Sequence, residues 1–129
     1  MGKRYLLDSN TVIDYIAGLY PDKALQWLNQ LIDEEINISV ITKIEVLSFE
    51  PDKDDNYTVL VDFFESSNTF ELTNDIVNKT IQIRQKQKIK LPDAVIASTA
   101  LVNGLILVSR NTKDFKNVPN LEILNPYDI

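Results

Sequence analysis

Short apolar runs alternate along this chain with longer segments of helical period, and no other feature narrows its possible folds as much. A parallel strand covered on both faces reads as a near-continuous apolar run, whereas the helix that returns the chain to the next strand repeats every 3.6 residues. The two in alternation predict an α/β sandwich with a central, mostly parallel sheet flanked by helices. Arg4 to Leu7 reads as the first strand and Thr11 to Gly18 as a helix closed by glycine. Asp22 to Glu35, opened by Pro21, sets Leu25, Leu28, Leu31 and Ile32 on one face. Ile36 to Ile41 alternates like a second strand, and Thr42 to Phe49 returns to helix. After a polar stretch, Glu50 to Asn56, read as a loop, Tyr57 to Glu65 and Asp75 to Lys86 read as helices around a strand at Thr69 to Leu72. Asp93 to Val102 is an apolar helix ended by Asn103-Gly104, Leu105 to Val108 a buried strand, and Leu121 to Leu124 a short last strand.

A chain of 129 residues fits one domain, residues 1–129, with one core. The apolar share of 44%, with only 3 Gly and 5 Pro, leaves little material for linkers and predicts a compact soluble protein. There is no His and no Cys. That excludes disulfides, thiolate nucleophiles, Cys/His zinc sites and serine or cysteine mechanisms that need an imidazole base. Any catalysis must therefore rest on carboxylates, with a hard oxygen-seeking cation as their natural companion. The net charge of -6 argues against a nucleic-acid partner until its distribution is considered. From Lys79 to Lys116 there are eight basic residues and two acidic ones, a local +6, so the remaining five basic and 17 acidic residues carry -12. Such a split predicts a positive face for an anionic partner, although a run such as Arg84 to Lys90 also suits a solvated helix end. The start of the chain has no secretory h-region of about 7 to 15 apolar residues, and no stretch nears the roughly 20 needed to span a membrane, so the expected location is the cytoplasm.

Four places combine acids with turn residues, and each also has a structural explanation. Asp8-Ser9-Asn10 follows the first strand and can cap the next helix. Thr42-Lys43-Ile44-Glu45 fits a capping box. Asp93 in Leu91-Pro92-Asp93-Ala94 suits a helix cap. Asn111-Thr112-Lys113-Asp114 reads as a cap with an acid in the first turn. Capping does not predict that these sites converge, yet three of the four lie where a strand hands over to a helix, the ligand-binding edge of a parallel sheet. Carboxylates sharing one cleft raise one another's pKa, an arrangement usually kept because a cation neutralises it.

Asp8-Ser9-Asn10, Ser39 to Glu45, Leu91 to Ala97 and Leu107 to Phe115 resemble, in order and spacing, the motifs of PIN-domain nucleases. The whole chain looks like a VapC-type toxin of a toxin-antitoxin module. The resemblance implies a PIN-like α/β/α sandwich and an Mg2+- or Mn2+-dependent endoribonuclease that activates water with metal held by an acidic cluster. Asp8 and Asp93 match the principal metal ligands, Glu45 the third acid, and Asp114 an acid that completes the pocket. Asn111 stands where relatives often have Asp, which lowers the charge there by one and bears on a second metal. Ser9, Asn10 and Ser109 match accessory pocket positions. The expected RNA contacts are foremost Arg110 and Lys113, which lie beside Asp114 in sequence, then Arg84, Lys86, Lys88 and Lys90.

The same resemblance implies a cognate antitoxin whose tail blocks the acidic pocket, and a homodimer. Trp27, Leu28, Leu31, Phe63 and Phe64 suit either a partner-facing stripe or the core, the commoner fate. Two other readings stand beside this one. One is a catalytically degenerate PIN-like domain that binds RNA or a partner. The other is a haloacid-dehalogenase-type phosphatase, whose opening motif Asp8 to Val12 resembles except for Asn10 in place of an acid.

Overall fold

The computed structural model describes residues 2–48 and 56–129. Among them, five short strands are β1 (Tyr5–Leu7), β2 (Asn37–Ser39), β3 (Asn68–Phe70), β4 (Ile106–Val108) and β5 (Ile123–Leu124). The helices are α1 (Ser9–Ile16), α2 (Asp22–Glu34), α3 (Val40–Leu47), α4 (Tyr57–Glu65), α5 (Asn74–Lys86), α6 (Leu91–Asn103) and α7 (Thr112–Phe115), followed by a 3-10 turn at Pro126–Asp128. All strand pairings are parallel, in two ladders ordered β1-β4-β5 and β2-β3. The ladders meet at β1 and β2, where the Asn37 side chain donates from Nδ2 to the Tyr5 carbonyl at 2.9 Å.

Strand alternation sorts the core into two layers. Leu6 and Leu107 join Ile83, Ile96, Ala97 and Phe115 on the face covered by α5, α6 and α7. Leu7 and Val108 join Val12, Leu28, Ile38 and Phe64 on the face covered by α1, α2 and α4. Burying each such side chain stabilises the fold by about 1.5 to 3 kcal/mol, so the layers also fix the register of the strands. Because the strands run the same way, their carboxyl ends share one edge, and Asp8, Val40 and Ser109 follow β1, β2 and β4 there.

The expected sandwich is present, with boundaries that differ in informative ways. The strand expected at Ile36 to Ile41 ends at Ser39, because the Ser39 hydroxyl accepts from the Ile41 amide at 3.2 Å and starts α3 at Val40. Thr42 is therefore buried inside the helix, and the capping-box reading of Thr42 to Glu45 fails. Likewise α1 starts at Ser9 rather than Thr11, and α6 at Leu91 rather than Asp93. The strand expected at Thr69 to Leu72 lies at Asn68–Phe70, and the last strand is confined to Ile123–Leu124. The expected loop from Glu50 onward lies outside the described residues up to Asp55. Leu28 and Phe64 are core residues, so the partner-facing reading fails for them, while Trp27, Leu31 and Phe63 are half-buried against the same cluster, Trp27 edge-on to Tyr5.

Candidate active site

Asp8 leaves β1 and caps α1, its Oδ1 accepting from the Ser9 amide at 2.8 Å. The carboxylate is buried, and its Oδ2 accepts from Ser109 Oγ at 2.7 Å and from Asn10 Nδ2 at 3.1 Å. Burial pushes the Asp8 carboxyl up, and the nearby Glu45 charge adds to the rise, while the bonds from Ser109, Ser9 and Asn10 oppose it. Asn10 Nδ2 also donates to Ser109 Oγ at 2.9 Å, so β1 and β4 are stitched together at their carboxyl ends. Glu45, one turn and a half into α3, is held from the other side: Ser9 Oγ donates to its Oε1 at 2.9 Å and approaches Thr42 Oγ1 at 3.5 Å.

Asp93 lies in the first turn of α6, and Lys90 occupies the cap position without a side-chain bond. Asp93 is thus not the cap that its sequence context suggests. Its carboxyl is pushed up to about 6, first by burial and then by the charges of Asp8, Asp114 and Glu45, with Lys90 opposing. Three acids from other elements thus lie near enough to act on Asp93. Asp114, in α7, accepts from Asn111 Nδ2 at 2.6 Å, so Asn111 orients this acid; its own side chain makes no cap bond. The donors are all oxygens, which suits a hard divalent cation, although no three acids among the described residues are drawn together as a ready-made ligand group.

A cleft of about 520 Å3 opens beside the acids, lined by Asp93 and Asp114 and by Arg84, Lys88, Lys90 and Lys113. Its shape is fixed by two bonds, Arg84 Nε to the Ile89 carbonyl at 3.3 Å and Gln87 Nε2 to the Asn117 carbonyl at 2.9 Å. Two of the six expected RNA contacts are elsewhere. Lys86, about 200° around α5 from Arg84, lines a separate groove with Lys79 and Val118. Arg110 turns its Nε onto Asp14 Oδ2 at 2.9 Å, so its charge is engaged by a buried carboxylate. Asp14, Gln87 and Asn117 escaped the sequence reading. Asp14 offers one retrospective signal, an acid one helical turn after Asn10.

The PIN domain family model matches residues 5–121. The chain belongs to the PIN domain family. A PIN domain is what the four motifs led one to expect, and the parallel α/β sandwich is its fold. The haloacid-dehalogenase reading falls with this match, and Asn10, whose amide donates to Asp8 and Ser109, has no carboxyl proton to deliver. Among solved structures, this PIN domain is similar to a chain of a toxin-antitoxin complex from Klebsiella pneumoniae, at 30% identity and a TM-score of 0.74, covering 97% of this chain and 99% of that one. FitAcB from Neisseria gonorrhoeae matches at 25% identity and a TM-score of 0.72, with 97% and 99% covered. DNA-bound VapBC from Salmonella typhimurium shares the fold at 24% identity and a TM-score of 0.79, again with 97% and 99% covered. A comparison with curated proteins gives no match.

Proposed function

We propose that this PIN domain is a divalent-metal-dependent endoribonuclease and the toxin of a toxin-antitoxin pair. The observation that carries the reading is the electrostatic state of the acidic centre. Burial, and then the charges of Asp8, Asp114 and Glu45, push the Asp93 carboxyl up to about 6, and the adjoining cleft is lined with cations. A centre that repels itself suits a bound cation, and the cationic wall suits a phosphate chain.

In this reading Asp8 and Asp93 would hold Mg2+ or Mn2+, with Glu45 and Asp114 completing the donor set. The bound ion supplies Lewis-acid polarisation of a phosphoryl oxygen and acidifies water. The chain supplies the rest. Ser109, Asn10 and the Ser9 amide bond to the charged form of Asp8 and keep it available as a ligand despite its burial. Ser9 Oγ donates to Oε1 of Glu45 and so orients this acid within the donor set. Asn111 steadies Asp114. Arg84, Lys88, Lys90 and Lys113 take the flanking phosphates, positioning the scissile bond over the acids.

The K. pneumoniae likeness, to a chain of a toxin-antitoxin complex, supports a cognate antitoxin as partner; closure of the acidic pocket by that antitoxin, a homodimer and a cytoplasmic location are further parts of the proposal. No described helix is long and apolar enough to cross a membrane. The test is cleavage of a structured RNA with Mg2+, with Mn2+ and with excess EDTA. Cleavage is expected with either ion and lost with the chelator; cleavage that survives EDTA overturns the metal-dependent reading. The alternative reading is a PIN domain that binds RNA without cutting it, which loss of Asp8, Glu45 or Asp93 would favour and which the presence of all three disfavours. RNA binding with no cleavage in either ion would establish that alternative.

A further inference from the structure

Arg110 sits next to Ser109 and Asn111, where sequence makes it an obvious phosphate ligand, yet its guanidinium points away from the basic cleft. Its partner is Asp14, which is 4% exposed. Asp14 Oδ2 accepts from Arg110 Nε at 2.9 Å and from the Tyr127 hydroxyl at 3.0 Å, and the Tyr127 ring lies 4.6 Å from that of Tyr20. The 3-10 turn near the end of the chain therefore braces Asp14, and Asp14 holds Arg110.

The main chain of Arg110 has a second contact, its amide donating to Asn10 Oδ1 at 3.1 Å. A carboxamide has a donor end and an acceptor end, and which end faces Asp8 matters. With Oδ1 occupied by the Arg110 amide, Nδ2 faces Asp8 Oδ2 at 3.1 Å and Ser109 Oγ at 2.9 Å. Rotated by a half turn, Asn10 would set its oxygen against a buried carboxylate and its NH2 group against the Arg110 amide, losing both bonds. The position of the Arg110 backbone thus decides the orientation of Asn10, and Asn10 helps decide that of Asp8.

We infer that Asp14 and Arg110 are positioning residues for the acidic centre: their ion pair, braced by Tyr127, fixes the Asn10 carboxamide so that it donates to Asp8, and Arg110 is not an RNA contact. The inference rests on the nuclease reading for its catalytic consequence, but the Asn10 orientation exists in the metal-free protein and can be tested alone.

The variants are Asp14→Asn, which keeps the volume and removes the charge, Tyr127→Phe, which removes one brace, and Arg110→Ala. Each is first checked by melting to be folded. In the metal-free protein, the side-chain amide pair of Asn10 in a 1H–15N spectrum is expected to shift and lose exchange protection in Asp14→Asn and Arg110→Ala, and less so in Tyr127→Phe. In cleavage assays with Mg2+, kcat should fall about 10- to 100-fold, the usual effect of removing a group that orients a metal ligand. KM and the salt dependence of RNA binding should stay as in the parent. The double variant Asp14→Asn/Arg110→Ala should be no worse than the more severe single one. Unmoved Asn10 resonances, or a reduced salt slope in Arg110→Ala without the same kcat loss in Asp14→Asn, would overturn the inference and return Arg110 to the substrate track. A parent that does not cleave at all, with the amide shifts present, would count against the nuclease reading and leave the positioning chain standing.

Discussion

At the scale of single residues, Asp93 carries the sharpest consequence. An unfolded Asp titrates near 3.9, whereas Asp93 in the folded chain is pushed up to about 6 by burial and by its acidic neighbours. Between those values the folded state binds more protons than the unfolded one, so stability falls as pH rises. This contribution to the stability of the metal-free protein should be fully present near pH 4, be lost as pH rises through about 6, and change little above that. Asp93→Asn removes the charge and makes no difference to capping, since Lys90 is the cap residue. The metal-free variant is expected to melt above the parent at pH 7 and close to it at pH 4. Saturating Mg2+ should narrow or invert the order at pH 7, because the parent gains binding free energy that the variant lacks. Melting curves at the two pH values, with EDTA and with Mg2+, check this; equal Mg2+ shifts in both proteins would remove Asp93 from the metal site. Much of this site was legible in sequence. Asp8, Glu45 and Asp114 follow β1, β2 and β4 closely enough for the sequence to set them at one sheet edge, whereas Asp93 follows a helix and is linked to them only through the charges that act on its carboxyl. The Asp14–Arg110 pair was not legible, since nothing local ties residues 96 positions apart.

At the scale of elements, α6 shows how a stop signal acts. Gly104 follows its last turn with φ of +65°, a left-handed conformation, and a Cβ added there would meet nothing within 4 Å. Gly104→Ala should therefore cost only the backbone strain, about 1 to 2 kcal/mol, and Gly104→Asn less. A lower urea midpoint at unchanged slope would show it; an unchanged midpoint in the alanine variant would mean that the turn relaxes. The glycine stop was readable, as were the amphipathic α2 and the buried β4. The start of α3 was misread for a specific reason. Apolar alternation from Ile36 runs on through Val40 and Ile41, so a period-two pattern continues past the point where Ser39 begins hydrogen-bonding as a helix cap. Moving that start two residues earlier than the expected Thr42 turned Glu45 from half of a capping box into an acid held by Ser9.

At the scale of the whole molecule, the uneven charge of the chain becomes a cleft. Arg84, Lys88, Lys90 and Lys113 gather beside the acids, although they come from two separate stretches of sequence. For single-stranded RNA each phosphate contact contributes roughly 0.7 to the slope of log affinity against log salt. Lys88→Ala and Lys113→Ala should each lower that slope by about 0.7, and Lys86→Ala, in the other groove, should leave it unchanged. An equal loss in all three would mean that only overall charge is sensed. The junction of the two ladders adds a mechanical consequence. Asp8 rides on the β1-β4-β5 ladder and Glu45 on the helix that follows β2, so the acidic centre straddles a joint rather than resting on one slab. That joint is bridged by side chains, Asn37 to the Tyr5 carbonyl and Ser9 to Glu45. The spacing between Asp8 and Glu45 is therefore set by two side-chain bonds and the shared apolar packing of Leu7, Ile38 and Val108 rather than by a strand ladder, so that the reach of the centre is written in side chains.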